Sequence, residues 1–354
     1  MQIIESSAPG KIILFGEHSV VYGKTAIAVS INLRTHVKII PYENETEKQK
    51  IKFKDLKSSQ KVIFEIIQNN IQLKKWNCDS KTPQVFAVIF KEIMKEKILK
   101  PILIEIESEL PIGSGLGSSA SVCVSLSAAL MKFSGKIEID QNGKITKQSL
   151  QEINKFAHLG EKIYHANSSG IDNTVSTFGS ILVFNKNQDP KFYNISKLRS
   201  MGILIIDTGI KRNTAKMVKI VSDLYSKFPK VVDKIFESMN QISLESIENL
   251  ENFENLEEEQ KEEKIIENLQ QLTELSHCLL NSLGVGHPKI TEITQICNEF
   301  GIKCKITGAG GGGCCFCLFS KNQREKIEKI MLKLNQIKIK SFITSLDKEG
   351  AILI

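Results

Sequence analysis

The amino-acid sequence predicts an α+β fold in two domains, with residues 1–200 in the first domain and residues 201–354 in the second. Patterns typical of strands and of helices alternate irregularly, without the regular β-α-β order of a doubly wound sheet. A chain of 354 residues is long enough for two domains of ordinary size. Hydrophobic residues make up 41% and charged residues 25%, which is the composition of a globular protein.

The first part of the chain is predicted to be rich in strands, because apolar residues there alternate with others or form short runs bounded by glycine. The polar residues 41–60 are expected to form a surface hairpin or loop. The predicted elements are strands over residues 11–15, 25–40 and 102–107 and helices over residues 60–75 and 83–98.

Residues 111–131 (PIGSGLGSSASVCVSLSAALM) are the most informative segment of the sequence. A predicted strand leads into glycines on alternate positions and a serine run, and a helical pattern follows. Because the N-terminus of a helix attracts anions and glycine lets a backbone approach a phosphate closely, this order predicts a cradle for nucleotide phosphates. It is neither a Walker A loop nor a dinucleotide fingerprint. The alternative is a glycine-rich turn that only caps a buried helix.

The later part of the chain is expected to hold further strands and long helices. One helix carries an apolar stripe that includes Ile153, Ala157 and Gly160, with Glu161 at the edge of that stripe. A loop then leads to Asp172. The predicted elements are helices over residues 150–165 and 324–334, a mostly helical segment over residues 213–285, and strands over residues 180–185, 202–207, 303–307 and 314–319.

Charge and hydropathy argue against two classes of function. The formal net charge of +7 is modest and spread along the chain, and no basic block is interleaved with aromatic residues, so the sequence predicts no nucleic-acid partner. No apolar run approaches the length of a membrane span, and the N-terminus lacks the layout of a signal peptide. We therefore expect no membrane association.

The eight cysteines show no paired zinc spacing. Cys314, Cys315 and Cys317 lie in an apolar run, with no histidine nearby. This pattern favours buried, reduced thiols in a strand over a metal site. Reduced thiols are typical of the cytosol, so we expect a cytoplasmic protein.

Phosphoryl transfer from ATP needs a phosphate cradle, a magnesium site, a positive charge and a group that orients the acceptor. Because Mg²⁺ prefers oxygen ligands and keeps several waters, Ser119 and Glu161 could hold it if their helices lie side by side. The alternative for Glu161 is a solvated helix residue. Asp172 is a candidate base or orienting group, and its alternative is a helix N-cap.

Lys11 is the candidate positive charge, since an ammonium group beside Asp172 would stabilise that carboxylate. Its alternative is a solvated lysine at a sheet edge. His18, at the end of a strand, and Thr214, at the start of a helix, are polar groups that could contact a substrate or serve structure alone.

Three motifs now carry a family resemblance. Residues 7–18 (SAPGKIILFGEH) resemble the first motif of the GHMP small-molecule kinases. Residues 110–120 (LPIGSGLGSSA) resemble the second, ATP-binding motif, and residues 305–314 (KITGAGGGGC) resemble the third. Residues 17–23, 31–35 and 170–177 (EHSVVYG, INLRT and GIDNTVST) are most similar to the mevalonate kinase family within this superfamily.

The resemblance implies a two-domain GHMP kinase fold with the active site in the inter-domain cleft, and transfer of phosphate from ATP to (R)-mevalonate. It also implies a homodimer and feedback inhibition by prenyl diphosphates. Asp172 and Lys11 would be catalytic, and Ser119 and Glu161 would hold Mg²⁺. The ATP-binding residues would be Pro111, Gly113, Ser114, Gly115, Leu116, Gly117, Ser118 and Ser119, and the residues near the substrate would be Glu17, His18, Thr214, Ala309 and Gly310.

One departure from the family pattern lies before the catalytic aspartate, where Ser168 replaces the usual proline. The change loosens the loop but removes no chemical group. Two alternatives remain open at this point. One is another GHMP kinase, such as a phosphomevalonate or homoserine kinase, and the other is a catalytically silent metabolite-binding homologue. The silent homologue would be expected to have lost Lys11, Glu161 or Asp172, and all three are present.

Overall fold

The structure is a computed structural model. It describes residues 2–41, 50–55, 61–67, 70–75, 81–95, 102–111, 113–165, 169–193, 201–254 and 259–354. Ser168 lies outside these residues, as does Ile112, which precedes the predicted phosphate cradle.

Strands and helices alternate irregularly along the described chain, which confirms the predicted α+β class. The strands are β1 (Ile4–Phe15), β2 (Ala26–Pro41), β3 (Lys50–Asp55), β4 (Lys61–Ile67), β5 (Asn70–Lys75), β6 (Ile102–Ser108), β7 (Ile181–Phe184), β8 (Lys191–Tyr193), β9 (Gly202–Asp207), β10 (Lys305–Ile306), β11 (Cys314–Phe319), β12 (Lys340–Ser345) and β13 (Ile352–Leu353). The helices are α1 (Thr82–Met94), α2 (Ser118–Phe133), α3 (Lys147–Tyr164), α4 (Ile171–Phe178), α5 (Thr214–Lys227), α6 (Pro229–Glu254), α7 (Glu259–Ser282), α8 (Pro288–Glu299) and α9 (Arg324–Gln336).

Two sheets are found among the described residues. The larger has nine strands in the order β13-β1-β2-β6-β3-β4-β5, with β7 paired to β2 and β8 paired to β7. Its pairings are antiparallel except that of β3 with β6. The smaller sheet has four antiparallel strands in the order β10-β11-β9-β12. A domain division near residue 200 stays a prediction.

The smaller sheet is covered on both faces, which explains why its strands are continuous apolar runs rather than alternating ones. Cys315 and Cys317 of β11 face one apolar cluster, together with Ile293 of α8. Cys314 and Phe316 face a second cluster, shared with β1 and α7. All six residues of β11 are buried, as the sequence predicts.

Helix α2 is the central helix of the larger-sheet layer, and it is buried nearly all round. It packs with α1, α3 and the sheet around one apolar cluster that includes Ile89, Leu126 and Ile153. No helix in the described part of the chain combines the length and the apolar composition needed to cross a bilayer.

The helix predicted over residues 60–75 is wrong. This segment instead forms β4 and β5, which pair antiparallel. A short apolar run such as Val62 to Ile67 fits a buried helix or a strand equally well by periodicity, and its β-branched residues favour the strand. Part of the predicted surface hairpin or loop over residues 41–60 is also a strand, since β3 pairs with both β4 and β6.

A buried ion pair holds the segment around residues 347–350 against the larger sheet. The guanidinium of Arg34, on β2, pairs with the carboxylate of Asp347, and both side chains are nearly buried. Arg34 also donates to Ser7 Oγ at 2.9 Å and to the carbonyl oxygen of Gly350 at 2.6 Å. Strand β13 then pairs with β1. These contacts satisfy a buried charge, as burial in a protein interior requires.

We expect Arg34→Met to lower the free energy of unfolding by about 3–5 kcal/mol, because it leaves the buried Asp347 carboxylate without its partner. Chemical denaturation followed by circular dichroism measures this change. Lys219→Met is the matched control, since it breaks an exposed ion pair with Asp223 and should change stability little. Equal losses in the two variants would contradict the assignment.

Candidate active site

Strand β1 and the glycine loop before α2 are joined directly through their backbones. The N–H group of Lys11 donates to the carbonyl oxygen of Leu116 at 2.8 Å. A Cβ atom on Gly10 would lie 2.7 Å from the same carbonyl oxygen and 2.4 Å from a methyl group of Leu110. Only glycine therefore fits at position 10, and the loop is held against the strand that carries Lys11.

Buried hydroxyl groups fix the same part of β1 from two helices. Ser121 of α2 donates to the carbonyl oxygen of Ala8 at 2.7 Å, and Ser176 of α4 donates to that of Pro9 at 2.7 Å. The register of β1 against β2 shifts between Pro9 and Gly10, so the strand pairing is irregular beside these two carbonyl groups. Both helices are thus bonded to β1 two and three residues before Lys11.

Lys11 and Asp172 form an ion pair at the centre of the site. Lys11 Nζ lies 3.1 Å from Asp172 Oδ2, and the side chains are 3% and 31% exposed, respectively. Asp172 lies in the first turn of α4, whose N-cap is Gly170 with φ of 80°. The alternatives of a solvated lysine and an N-cap aspartate are therefore both wrong. Asp172 alone of the pair is open to a ligand.

Glu161 lies on the buried face of α3, so the alternative of a solvated glutamate is wrong as well. Burial, reinforced by the negative charge of Asp172, raises its pKa to about 7, against the opposing effects of a hydrogen bond from Ser119 and the charge of Lys11. Its Oε1 atom is buried and has no hydrogen-bond partner among the described residues. The structure thus brings Ser119 and Glu161 together, as the sequence predicts, and leaves one carboxylate oxygen unsatisfied.

The predicted phosphate cradle has the backbone conformation of a glycine loop. Gly113, Gly115 and Gly117 all have positive φ, at 75°, 91° and 78°. Helix α2 begins with Gly117 as its N-cap, so no side chain from that position caps its first turn, where Ser118 and Ser119 lie. Ser114 instead donates to the carbonyl oxygen of Pro111 at 2.8 Å and closes the loop. Such an uncapped N-terminus suits an anion.

A second glycine loop, residues 308–313, packs against the first. The N–H group of Cys314 donates to the carbonyl oxygen of Ser114 at 3.1 Å, and that of Gly313 donates to Ile210 at 2.9 Å. A Cβ atom on Gly310 would lie 2.4 Å from the carbonyl oxygen of Val285. Because β10 and β11 flank this loop, the smaller sheet positions it at the edge of the phosphate cradle.

Arg212 is a site residue that sequence reasoning missed. A Cβ atom on Gly115 would lie 2.5 Å from its Nη1 atom, and one on Gly308 would lie 2.6 Å from it. The guanidinium group thus lies between the two glycine loops, in space that only glycines leave open. Its sequence signal is weak, since it is one of 47 Lys and Arg residues and belongs to no glycine motif.

His165, at the C-terminal end of α3, is a second residue that the sequence did not single out. Burial lowers its pKa, and the charges of Arg212 and Lys11 act in the same direction while that of Asp172 opposes them. The imidazole therefore lies within electrostatic range of the same three charged groups. A neutral histidine there adds a polar group without adding positive charge.

The residues predicted to contact the substrate occupy three environments. His18 has φ of 61° and donates from Nε2 to the carbonyl oxygen of Ala309 at 2.9 Å, and burial lowers its pKa. Glu17 is buried against the ammonium group of Lys305, and burial raises its pKa. Thr214 is exposed at the first position of α5, following the N-cap Asn213.

The site combines an anion-binding loop with two carboxylates, Asp172 and Glu161, and two cations, Lys11 and Arg212. Asp172 can accept a hydrogen bond or a proton from a hydroxyl group, with Lys11 compensating its charge. Arg212 and the N-terminus of α2 can compensate phosphate charge. Ser119 and Glu161 offer oxygen ligands of the kind that Mg²⁺ prefers. This arrangement can transfer a phosphoryl group to a hydroxyl group.

Comparison with known proteins gives the same class of enzyme. The family described as "GHMP kinases N terminal domain" matches residues 84–180, and "GHMP kinases C terminal" matches residues 251–335. The chain is 33% identical over 343 residues to the mevalonate kinase of Homo sapiens, an alignment that covers 88% of this chain and 85% of the human protein. It is 32% identical over 381 residues to that of Arabidopsis thaliana, covering 98% of each. The solved structure of the Methanococcus jannaschii mevalonate kinase superposes with a TM-score of 0.77, at 25% identity and 98% coverage of both chains.

We expect Glu161 to make the metal-free protein less stable as pH rises. A carboxyl group whose pKa is about 7 when folded and 4.5 when unfolded binds more protons in the folded state, so its contribution to stability is lost as pH rises from about 4.5 to 7. The shift corresponds to roughly 3 kcal/mol. Glu161→Gln should lack this loss and be more stable than the unsubstituted protein above pH 7.

Thermal unfolding between pH 5 and 8, with a chelator present, measures this effect. The difference between the two proteins is the observable, because other titrating groups, including Glu17 and Asp347, contribute equally to both. Parallel stability curves for the two proteins would show that Glu161 keeps an ordinary pKa.

Proposed function

The chain belongs to the mevalonate kinase family of the GHMP kinases, and we propose that it transfers the γ-phosphoryl group of ATP to the C5 hydroxyl of (R)-mevalonate. The products are ADP and 5-phosphomevalonate. One observation carries the proposal: the Lys11–Asp172 ion pair lies directly beside the N-terminus of α2, since a Cβ atom on Gly117 would lie 2.8 Å from Lys11 Cγ. The group that orients the acceptor thus adjoins the loop that holds the donor.

In the proposed reaction, the acceptor hydroxyl donates a hydrogen bond to Asp172 and its oxygen attacks the γ-phosphorus. The bond from that phosphorus to the β-bridging oxygen breaks, and ADP leaves with the electron pair. The hydroxyl proton passes to Asp172 or to water. Where the transition state is loose, most of the contribution of Asp172 comes from positioning the hydroxyl group.

The two cations of the site, Lys11 and Arg212, have different roles in this proposal. Lys11 pairs with the Asp172 carboxylate and, being nearly buried, acts with little screening by water. Arg212, between the two glycine loops, donates hydrogen bonds to phosphate oxygens and compensates the charge that develops on them. The backbone N–H groups of residues 113–119, together with the side chains of Ser118 and Ser119, hold the triphosphate.

Ser119 and Glu161 fit a Mg²⁺ ion. The buried Oε1 of Glu161 has no partner among the described residues, and the hydroxyl of Ser119 lies beside this carboxylate. Two protein oxygens, with phosphate oxygens and waters, make a usual magnesium environment. When bound, Mg²⁺ neutralises phosphate charge and would relieve the repulsion between Glu161 and Asp172.

On the acceptor side, we assign substrate contacts to His18, Glu17, Thr214, Ala309 and Gly310. The hydrogen bond from His18 to Ala309 joins the end of the first motif to the second glycine loop, so both could line one pocket. Glu17, held by Lys305 beneath them, supports this wall. The exposure of Thr214 leaves its hydroxyl free to reach a ligand.

Five further expectations extend the proposal. We place the enzyme in the cytoplasm, which accords with free thiols at the seven described cysteines. We propose a homodimer and inhibition by prenyl diphosphates, whose diphosphate group would compete for the phosphate loop. We also propose a domain division near residue 200, with the active site between the two parts.

The proposal predicts the acceptor that supports ADP release. Purified protein with Mg-ATP is expected to release ADP with (R)-mevalonate and not with 5-phosphomevalonate, homoserine or galactose. A coupled ADP assay measures the rates. Turnover with another acceptor alone would retain the kinase and reject the assigned substrate, while no turnover with any of the four would favour a silent binding protein.

Asp172→Asn and Glu161→Gln are expected to fail in different ways. Asp172→Asn should lower kcat by about 10²–10⁴-fold at every Mg²⁺ concentration, because it removes the group that orients the hydroxyl. Its affinity for ATP should stay near that of the unsubstituted protein. Glu161→Gln should raise the Mg²⁺ concentration needed for half-maximal rate, and excess Mg²⁺ should partly restore turnover.

Turnover against Mg²⁺ concentration, with nucleotide binding by calorimetry, separates the two variants. Equal loss of ATP binding and of turnover in Asp172→Asn would assign that residue a structural role. An unchanged Mg²⁺ titration in Glu161→Gln would remove Glu161 from the metal site.

A further inference from the structure

Three cysteine thiols converge in the smaller-sheet part of the molecule, outside the active site. They come from separate elements: Cys297 from α8, Cys304 from the segment before β10, and Cys317 from β11. Their Sγ atoms all lie within 4.8 Å of one another, and all three residues are buried. Cys317 Sγ lies 3.7 Å from Cys297 Sγ.

A fourth thiol adjoins this cluster. Cys315 lies two residues before Cys317 on β11 and therefore projects from the same face of the sheet. Hydrogen bonds with the thiols of Cys297, Cys315 and Cys317 raise the pKa of Cys304. Cys304 is thus the member of the group that touches the other three.

The surroundings of the cluster are apolar. Leu204, Ile293 and Ile302 pack with these cysteines, and Lys305 is a neighbouring cation that interacts electrostatically with Cys304 and Cys315. A cysteine can fill such a core simply as a small apolar residue. Three mutually contacting sulfur atoms, however, form the donor set that thiophilic metals bind.

The spacing of the sulfur atoms suits a metal site. Two Zn–S bonds of about 2.3 Å at a tetrahedral angle place the two sulfurs about 3.8 Å apart. The separation of Cys297 and Cys317 is 3.7 Å, so these two could bind one ion with little movement. Sequence spacing gave no sign of this site, because residues 297, 304 and 317 meet only through the packing of α8 on the sheet.

We propose that Cys297, Cys304 and Cys317 bind one thiophilic metal ion of the Zn²⁺ type, with Cys315 as the candidate fourth ligand. Binding forms metal–sulfur bonds and releases the thiol protons to solvent. Cys304 precedes β10 and Cys317 lies in β11, so the ion would clip together the two strands that carry the second glycine loop and would anchor both to α8. The site is structural and separate from the Mg²⁺ site at Ser119 and Glu161.

The test uses the full-length protein carrying Cys78→Ser and Cys278→Ser, which removes the exposed Cys278 and a cysteine outside the described residues. The protein is reduced, stripped of metal and titrated with Cd²⁺, and sulfur-to-metal charge-transfer absorption is followed. We expect one Cd²⁺ per chain, displaced by Zn²⁺. Cys297→Ala or Cys317→Ala should weaken binding by more than the roughly 10–100-fold typical of losing an outer-shell partner.

Cys123→Ala is the matched control, since Cys123 is buried in a different cluster and should leave one Cd²⁺ per chain. Because the alanine variants could fold poorly, the ¹¹³Cd chemical shift of the parent protein gives an independent reading, and it should report three or more sulfur ligands. Absence of stoichiometric uptake, uptake unchanged in folded Cys297→Ala, or a shift typical of oxygen and nitrogen ligands would overturn the proposal. So would a Cys297–Cys317 disulfide that forms in preference to metal binding.

Discussion

The close approach of β1 to the loop before α2 is the constraint on which the candidate site depends. At Gly10 the strand lies too near the loop for any side chain, and at Lys11 the two backbones share a hydrogen bond. Serine hydroxyls from α2 and α4 hold the adjacent carbonyl groups. Because three elements meet there, the ammonium group of Lys11, the carboxylate of Asp172 and the N-terminus of α2 have fixed relative positions, which is what positioning catalysis requires.

The charged groups described in this site compensate one another only in part. Glu161 and Asp172 repel each other, and Lys11 pairs with Asp172 alone, so one buried carboxylate oxygen lacks a partner among the described residues. On the phosphate side, Arg212 and the uncapped N-terminus of α2 supply positive potential. These two features are the basis of the ATP and Mg²⁺ binding proposed above.

The sequence predicted correctly those elements that depend on the local order of residues. The strand that carries Lys11, the glycine loop before α2 and the helix that carries Glu161 each follow from periodicity and glycine spacing. Prediction from sequence failed where position depends on long-range packing. Arg212 belongs to no motif, and the thiols of Cys297 and Cys317 meet only through the fold. The segment that forms β4 and β5 was misassigned because a short apolar run carries no decisive period.

The last strand of the chain has a consequence for synthesis. Strand β13 pairs with β1, and Asp347 neutralises Arg34 of β2, so residues near the C-terminus complete the sheet begun by the N-terminus. A nascent chain emerging from the ribosome cannot finish that sheet, or bury Arg34 with its partner, until residues 347–353 have been made. The edge of β1 that pairs with β13 therefore stays unpaired until those residues emerge, and deletion of residues 352–353 would leave that edge open permanently.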